Sequence, residues 1–128
     1  EMLHAAAQGK PYSCFVRENT QIPFMTMPDA IGAIIQIMSV PRRNLSQSVY
    51  NIRSFAPTAE EFRQKLLEFY PNTEIEYNIN EKRQKMVDGW PMDTNDSAAK
   101  EEWNWQPIHD LDNGLSKYLI PDLKEIYS

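Results

Sequence analysis

The chain has 128 residues, of which 41% are hydrophobic, enough to bury one core but hardly two. Its net charge of −5 and pI near 5.0, with no basic run longer than Arg42-Arg43, argue against binding nucleic-acid phosphates and leave small molecules or proteins as partners. A single cysteine, Cys14, excludes an internal disulfide and a cysteine-rich zinc site, which suits a reducing cytoplasm; a buried structural thiol is its expected role. No apolar run is long enough to cross a membrane, and the first residues lack a signal pattern.

In chain order, Glu1 to Gln8 reads as a helix built on Met2, Leu3 and three alanines, closed by Gly9. A domain boundary rarely cuts inside a helix, so the chain is expected to be a piece of a longer protein. Tyr12 to Val16 is a short strand and Arg17 to Thr20 a polar turn. The segment from Gln21 is extended and runs into a helix with Pro28 near its first position. There Ile31, Ile34, Ile35 and Met38 form one apolar stripe, expected to face the core rather than a cofactor. Gly32 beside it costs about 1 kcal/mol relative to alanine unless something packs closely on the backbone.

Ser48 to Ser54 has the β-rich composition of a buried strand. Thr58-Ala-Glu-Glu61 is a capping box opening a helix whose inner face carries Phe62, Leu66 and Phe69 and which Pro71 stops. A second strand follows at Glu74 to Ile79. Strand, helix and strand at this spacing predict a parallel, right-handed unit in which Ser48–Ile52 pairs with Glu74–Asn78. The fold class is therefore α/β. A polar helix from Asn80 to Val87 leads into Asp88 to Pro107, the stretch that holds all three tryptophans. Within it, Asp96 or Ser97 can cap a short helix carrying Trp103 on the face of Ala99, and Pro107 forbids continuation past Gln106. A last helix from Asp110 carries Leu111, Leu115, Tyr118 and Leu119 and is expected to break near Pro121.

The residues themselves show no catalytic machinery. Each of the four glycines stands alone, so no glycine-rich loop can cradle a dinucleotide phosphate, and no tyrosine is followed four residues later by lysine. His4 and His109 have no cysteine or carboxylate at metal-ligand spacing, so no metal site is expected. Trp90 is the candidate for a substrate contact, with a simple aromatic plug as the equal alternative on composition alone. Arg83 is a weaker candidate for orienting the Trp90 loop and otherwise a solvated helix residue.

Trp90-Pro91, Asp96-Ser97, Ala99, Trp103, Trp105, Pro107 and Asp110-Leu111 match, in order, the C-terminal signature of the extended short-chain dehydrogenase/reductases. The chain most closely resembles the L-threonine 3-dehydrogenases among them, and the run Ile22-Pro-Phe-Met-Thr-Met-Pro-Asp-Ala30 supports the same likeness. Gly89, Asn95 and Asn104 depart from the pattern, as do Phe24 and Thr26.

The resemblance covers essentially the whole chain and implies the C-terminal, substrate-binding portion of a Rossmann-type fold, with parallel strands, a crossover helix and a small helical part. The parent reaction it implies is NAD-dependent oxidation of L-threonine to 2-amino-3-oxobutyrate, with NAD, the catalytic tyrosine and lysine, and a homodimer contact all belonging to a part outside this chain. It also implies that Trp90 lies at the substrate pocket. Two alternatives carry weight. The nucleotide-sugar epimerases and dehydratases share the architecture, but where they commonly place an arginine to grip the diphosphate this chain has Ile22, and Lys85-Met-Val-Asp88 replaces their Arg-x-Gly-Asp. The other alternative is a stand-alone, non-catalytic interaction module.

Overall fold

The computed structural model describes residues 1–127, which form seven α-helices, a 3-10 turn at Arg42–Asn44, a π-helical turn and two short strands. Helix α1, Met2–Ala7, ends as expected at Gly9, whose φ of +66° an L side chain rarely adopts. It leads into β1, Tyr12–Cys14. Helix α2, Met27–Met38, starts at Thr26, whose side chain accepts from the Asp29 N–H. Helix α3, Ala59–Phe69, opens on the full capping box: the Glu61 N–H donates to the Thr58 hydroxyl at 3.1 Å, and the Thr58 N–H donates to the Glu61 carboxylate at 2.7 Å.

Strand β2, Ile75–Tyr77, precedes α4, Glu81–Val87, and then α5, Ser97–Trp103. The Asn95 side chain accepts from the Ser97 N–H, while Asp96 pairs with Lys100 at 2.8 Å. Asn104 ends α5 in the left-handed region, at φ 56° and ψ 37°; asparagine tolerates that conformation, so the replacement of glycine there is accommodated.

A parallel pair forms, but its strands are β1 and β2, with Tyr12 opposite Ile75 and Cys14 opposite Tyr77. The predicted strand at Ser48–Ile52 is a correction: the segment has no ladder partner, and the backbone of residues 48–53 bonds to no other backbone among the described residues. Its Tyr50 and Ile52 pack inward while Val49 is 75% exposed. β-propensity reports a side chain's fit to a pleated surface, and pairing needs a neighbour that propensity cannot supply.

The main core gathers Met2, Leu3, Cys14, Leu66, Ile75, Leu115, Ile120 and Leu123 from α1, both strands, α3 and the final helices. A second, smaller cluster joins Ala33 to Ala99, Trp103 and Trp105, so the expectation of a single core is also corrected.

The final helical run does not break at Pro121. Helix α6, Leu111–Asn113, passes into a π-helical turn at Gly114–Leu119 and then into α7, Ile120–Ile126. The Ile120 N–H bonds to the Leu115 carbonyl five residues back, and the proline, which has no N–H to give, falls in the first turn of α7 where none is required.

Helix α2 brings the largest reversal. Its buried side is Asp29 and Ala33, whereas Ile31, Ile34, Ile35 and Met38, expected in the core, are 52–79% exposed. Gly32 lies on the exposed side, and a Cβ placed there would meet nothing within 4 Å. Gly32→Ala should therefore stabilise the chain by roughly 0.5–1 kcal/mol, because only the helix penalty of glycine is removed. Thermal melting of the variant would check it, and a lower melting temperature would show a contact at this position that the structure lacks.

Candidate functional site

A cleft of about 620 Å³ opens between α1, β1, the 20–27 segment, the start of α3 and the end of α4. Its wall is mainly apolar, with Phe24, Met25, Phe55, Phe62, Met86 and Trp90 among the lining side chains. Phe24 stacks between Phe55 and Phe62, each with ring centres 6.2 Å away, which gives that wall a rigid aromatic face. Both residues singled out from sequence lie on the cleft. Trp90 is half exposed, and its N–H bonds to the Val87 carbonyl at 2.9 Å, so the turn after α4 sets where the indole stands. Arg83 lies with its guanidinium carbon 3.4 Å from the centre of the Phe15 ring and pairs with Glu1 at 3.3 Å.

Two other cations, Arg17 and Arg53, pair with the Trp90 loop. The Arg17 guanidinium grips both carboxylate oxygens of Asp88 at 2.7 and 2.8 Å, and the Gln84 side chain donates to the same carboxylate at 2.6 Å. These hydrogen bonds, from Arg17 first and Gln84 second, hold the Asp88 carboxyl below the usual carboxylate range. Gln84 is fully buried and also accepts from the Arg17 N–H at 2.7 Å. Further along, the Arg53 guanidinium and the Asp93 carboxylate come within 2.5 Å. The loop is thus pinned on both sides of Trp90, at Asp88 and at Asp93. Sequence reading missed this because Arg17 lies 71 residues from the Asp88 it grips and 67 from the Gln84 that accepts its N–H.

Beneath the cleft sits a buried carboxylate, Asp29, only 1% exposed. It accepts from the Ser54 hydroxyl at 2.6 Å, the Ile108 N–H at 2.7 Å, the Thr26 hydroxyl at 3.0 Å and the His109 N–H at 3.3 Å. The Nδ1 atom of His109 lies 3.0 Å from the Thr26 hydroxyl. Burial pushes the Asp29 carboxyl up, but the four hydrogen bonds outweigh it and hold the group below its ordinary range. The signal available in sequence was the Met-Pro-Asp-Ala segment; nothing local indicated that residues 54, 108 and 109 converge on it.

The site has the chemistry of a binding wall. Two long-helix starts reach the cleft, and each carries a carboxylate, Asp29 at α2 and the Glu61 of the capping box at α3, which opposes a dinucleotide phosphate there. The chain's own residues do not fit NAD, and no step through it is assigned to them. Cys14 is buried, and its thiol is pushed up by burial. His4 bonds through Nδ1 to the Tyr127 hydroxyl at 2.9 Å. Among the described residues no group of three His, Cys, Asp or Glu side chains could hold a metal ion, and no helix is long and apolar enough to cross a membrane.

No family model matches the chain. Bovine mitochondrial L-threonine 3-dehydrogenase is 33% identical over 112 residues, which are 88% of this chain and 30% of that protein. An uncharacterised epimerase/dehydratase of Staphylococcus saprophyticus is 34% identical over 121 residues, 94% of this chain and 38% of its own length. Among solved structures, apo L-threonine dehydrogenase from Cupriavidus necator superimposes with a TM-score of 0.84 at 33% identity, over 99% of this chain and 44% of that one.

The likeness to these proteins, which runs across nearly the whole chain, places it in the extended short-chain dehydrogenase class of the epimerase/dehydratase superfamily. Within that class, the chain corresponds to the C-terminal part of the L-threonine 3-dehydrogenases. It spans between 30% and 44% of the length of these relatives.

Proposed function

We propose that this chain forms the substrate side of an NAD-dependent L-threonine 3-dehydrogenase, which oxidises the β-hydroxyl of L-threonine to give 2-amino-3-oxobutyrate. The observation that carries the proposal is Trp90, pinned on the wall of an apolar cleft, in a chain about one-third identical to named threonine dehydrogenases. NAD supplies the hydride acceptor and is held by a portion of the enzyme outside this chain. The residues here contribute a surface. Trp90 and the Phe24, Phe55 and Phe62 wall exclude water from a small polar substrate, and the Arg17–Asp88 pair keeps the indole in place. By the same reading the homodimer contact belongs to the dinucleotide-binding portion, and the chain alone is inactive. Cys14 suits a reducing compartment such as the cytoplasm, while the bovine and porcine relatives are mitochondrial by name.

The epimerase/dehydratase reading keeps the support of the Staphylococcus likeness, but the cleft wall carries a single arginine, Arg83, already paired with Glu1, which is poor provision for a nucleotide diphosphate.

Two measurements test the proposal. Calorimetry of the isolated chain should show no NAD binding at micromolar concentrations. A fusion that joins the unmatched part of the C. necator protein to this chain should produce NADH when given threonine and not when given a UDP-sugar. A micromolar NAD complex of the chain alone, or a fusion that folds and binds NAD yet ignores threonine, would refute it.

A further inference from the structure

The π-helical turn at Gly114–Leu119 lies against the wall of the cleft. A Cβ added to Gly114 would come within 3.0 Å of the Phe55 ring and 3.4 Å of the Thr26 methyl group, and both of those residues line the cleft. Glycine therefore lets the helix backbone approach that wall. A bond to the carbonyl five residues back takes more residues per turn than an α-helix does, so the side chains on the turn are rotated about the axis; such turns recur at functional sites. Two of the side chains it carries, Tyr118 and Leu119, line the cleft.

Tyr118 differs from the other polar side chains of the cleft in having nothing to bond to. Tyr12 and Arg83 both donate to Glu1, and His4 bonds to Tyr127. Thr20 accepts from Gln84, Thr26 donates to Asp29, Thr58 caps α3, and the Cys14 thiol is buried. The Tyr118 ring rests against His109, with centres 6.0 Å apart, and His109 is itself fixed through Nδ1 to Thr26. Its hydroxyl has no hydrogen-bond partner among the described residues and reaches solvent. A phenol whose ring is held and whose hydroxyl is free is a donor poised for a ligand. The one other lining side chain whose polar atom has no partner among the described residues is Trp90, already read as a substrate contact.

We propose that Tyr118 is a ligand-contacting residue of the cleft, whose hydroxyl donates to the carboxylate of a small amino acid. Arg83, the one arginine on the wall, is occupied by Glu1, so an anion in this cleft is met by neutral donors. A lone donor contributes most where its acceptor is ionised, since such hydrogen bonds are about twice as strong as neutral ones. That the carboxylate belongs to an amino acid rests on the functional reading above.

The test labels the tyrosines of the 128-residue chain with carbon-13 at Cζ and follows them by NMR as L-threonine is added. L-threonine amide, which lacks the carboxylate, is the second probe. The Tyr118 resonance is identified as the one missing from Tyr118→Phe, which keeps the ring against His109 and should melt close to wild type. It should shift and saturate with L-threonine and stay in place with the amide. No shift with L-threonine, or equal shifts with both, would overturn the proposal. In the C. necator fusion, Tyr118→Phe should raise the KM for threonine roughly tenfold, more than it lowers kcat, as the loss of one hydrogen bond to a charged group predicts. A wild-type KM in that variant would overturn the contact and leave the functional reading standing. A fusion that ignores threonine, with the Tyr118 resonance still moving in the chain, would overturn the functional reading and leave the contact standing.

Discussion

Asp29→Ala should lower the stability of the chain by about 3–5 kcal/mol, a large share of the 5–15 kcal/mol that holds a domain of this size together. The carboxylate is 1% exposed and receives four donors, two hydroxyls and two backbone N–H groups, all of which lose their acceptor at once. Asp29→Asn should cost less, because the amide oxygen keeps part of the acceptor role while its NH₂ faces groups that are themselves donors. The pH dependence follows from the same contacts. The folded-state pKa of Asp29 is depressed, so its contribution is present above the unfolded carboxyl value of about 3.9 and is lost as pH falls through the lower folded value. Melting curves between pH 7 and pH 2 should show the wild type losing stability in that acid window more steeply than Asp29→Ala. Parallel curves for the two proteins would mean that the network contributes nothing through ionisation.

The three tryptophans should divide into two behaviours. Trp103 is 4% exposed, tilted against Trp105 at 5.8 Å and edge-on to Tyr50 at 5.9 Å. Trp103→Ala should cost about 3–5 kcal/mol and melt roughly 10–20 °C earlier. Its indole N–H has no hydrogen-bond partner among the described residues, so the loss is one of packing, and Trp103→Phe should recover much of it. Trp90 is half exposed on a loop, and Trp90→Ala should leave the melting temperature close to wild type. In the C. necator fusion, however, threonine-dependent NADH production should fall at least tenfold, because the site admits water and loses the surface that orients the substrate. Wild-type turnover combined with early melting in Trp90→Ala would make that residue a structural plug.

Local chemistry is legible in the sequence. The Thr58 and Glu61 capping box, the Gly9 stop and the face of α3 that buries Leu66 each depend on residues within one turn of one another. Trp90 reads as a candidate substrate contact and Arg83 as a residue that orients its loop; both line the cleft, where Arg83 lies over Phe15 and pairs with Glu1. What failed were statements about which side of an element is covered. Periodicity shows that α2 has two faces, but its inward face is built from Asp29 and small Ala33, while the bulky residues point the other way. Segment 48–52 has strand composition and no strand beside it, and Pro121 stays helical because the ladder widened ahead of it. The Asp29 and Asp88 networks were invisible because their donors come from remote segments, and one sequence gives no register for such meetings.

The distance along the chain between Asp29 and its Ile108 donor, 79 residues, also sets a clock for synthesis on the ribosome. At about 5–20 residues per second, helix α2 emerges some 4–16 s before the residues that satisfy its buried carboxylate exist. During that interval only the Thr26 and Ser54 hydroxyls can serve Asp29, and the nascent chain holds α2 with both an apolar stripe and a half-solvated charge on view. The nascent protein is therefore most open to chaperone capture in the interval before the segment that carries Ile108 and His109 is made.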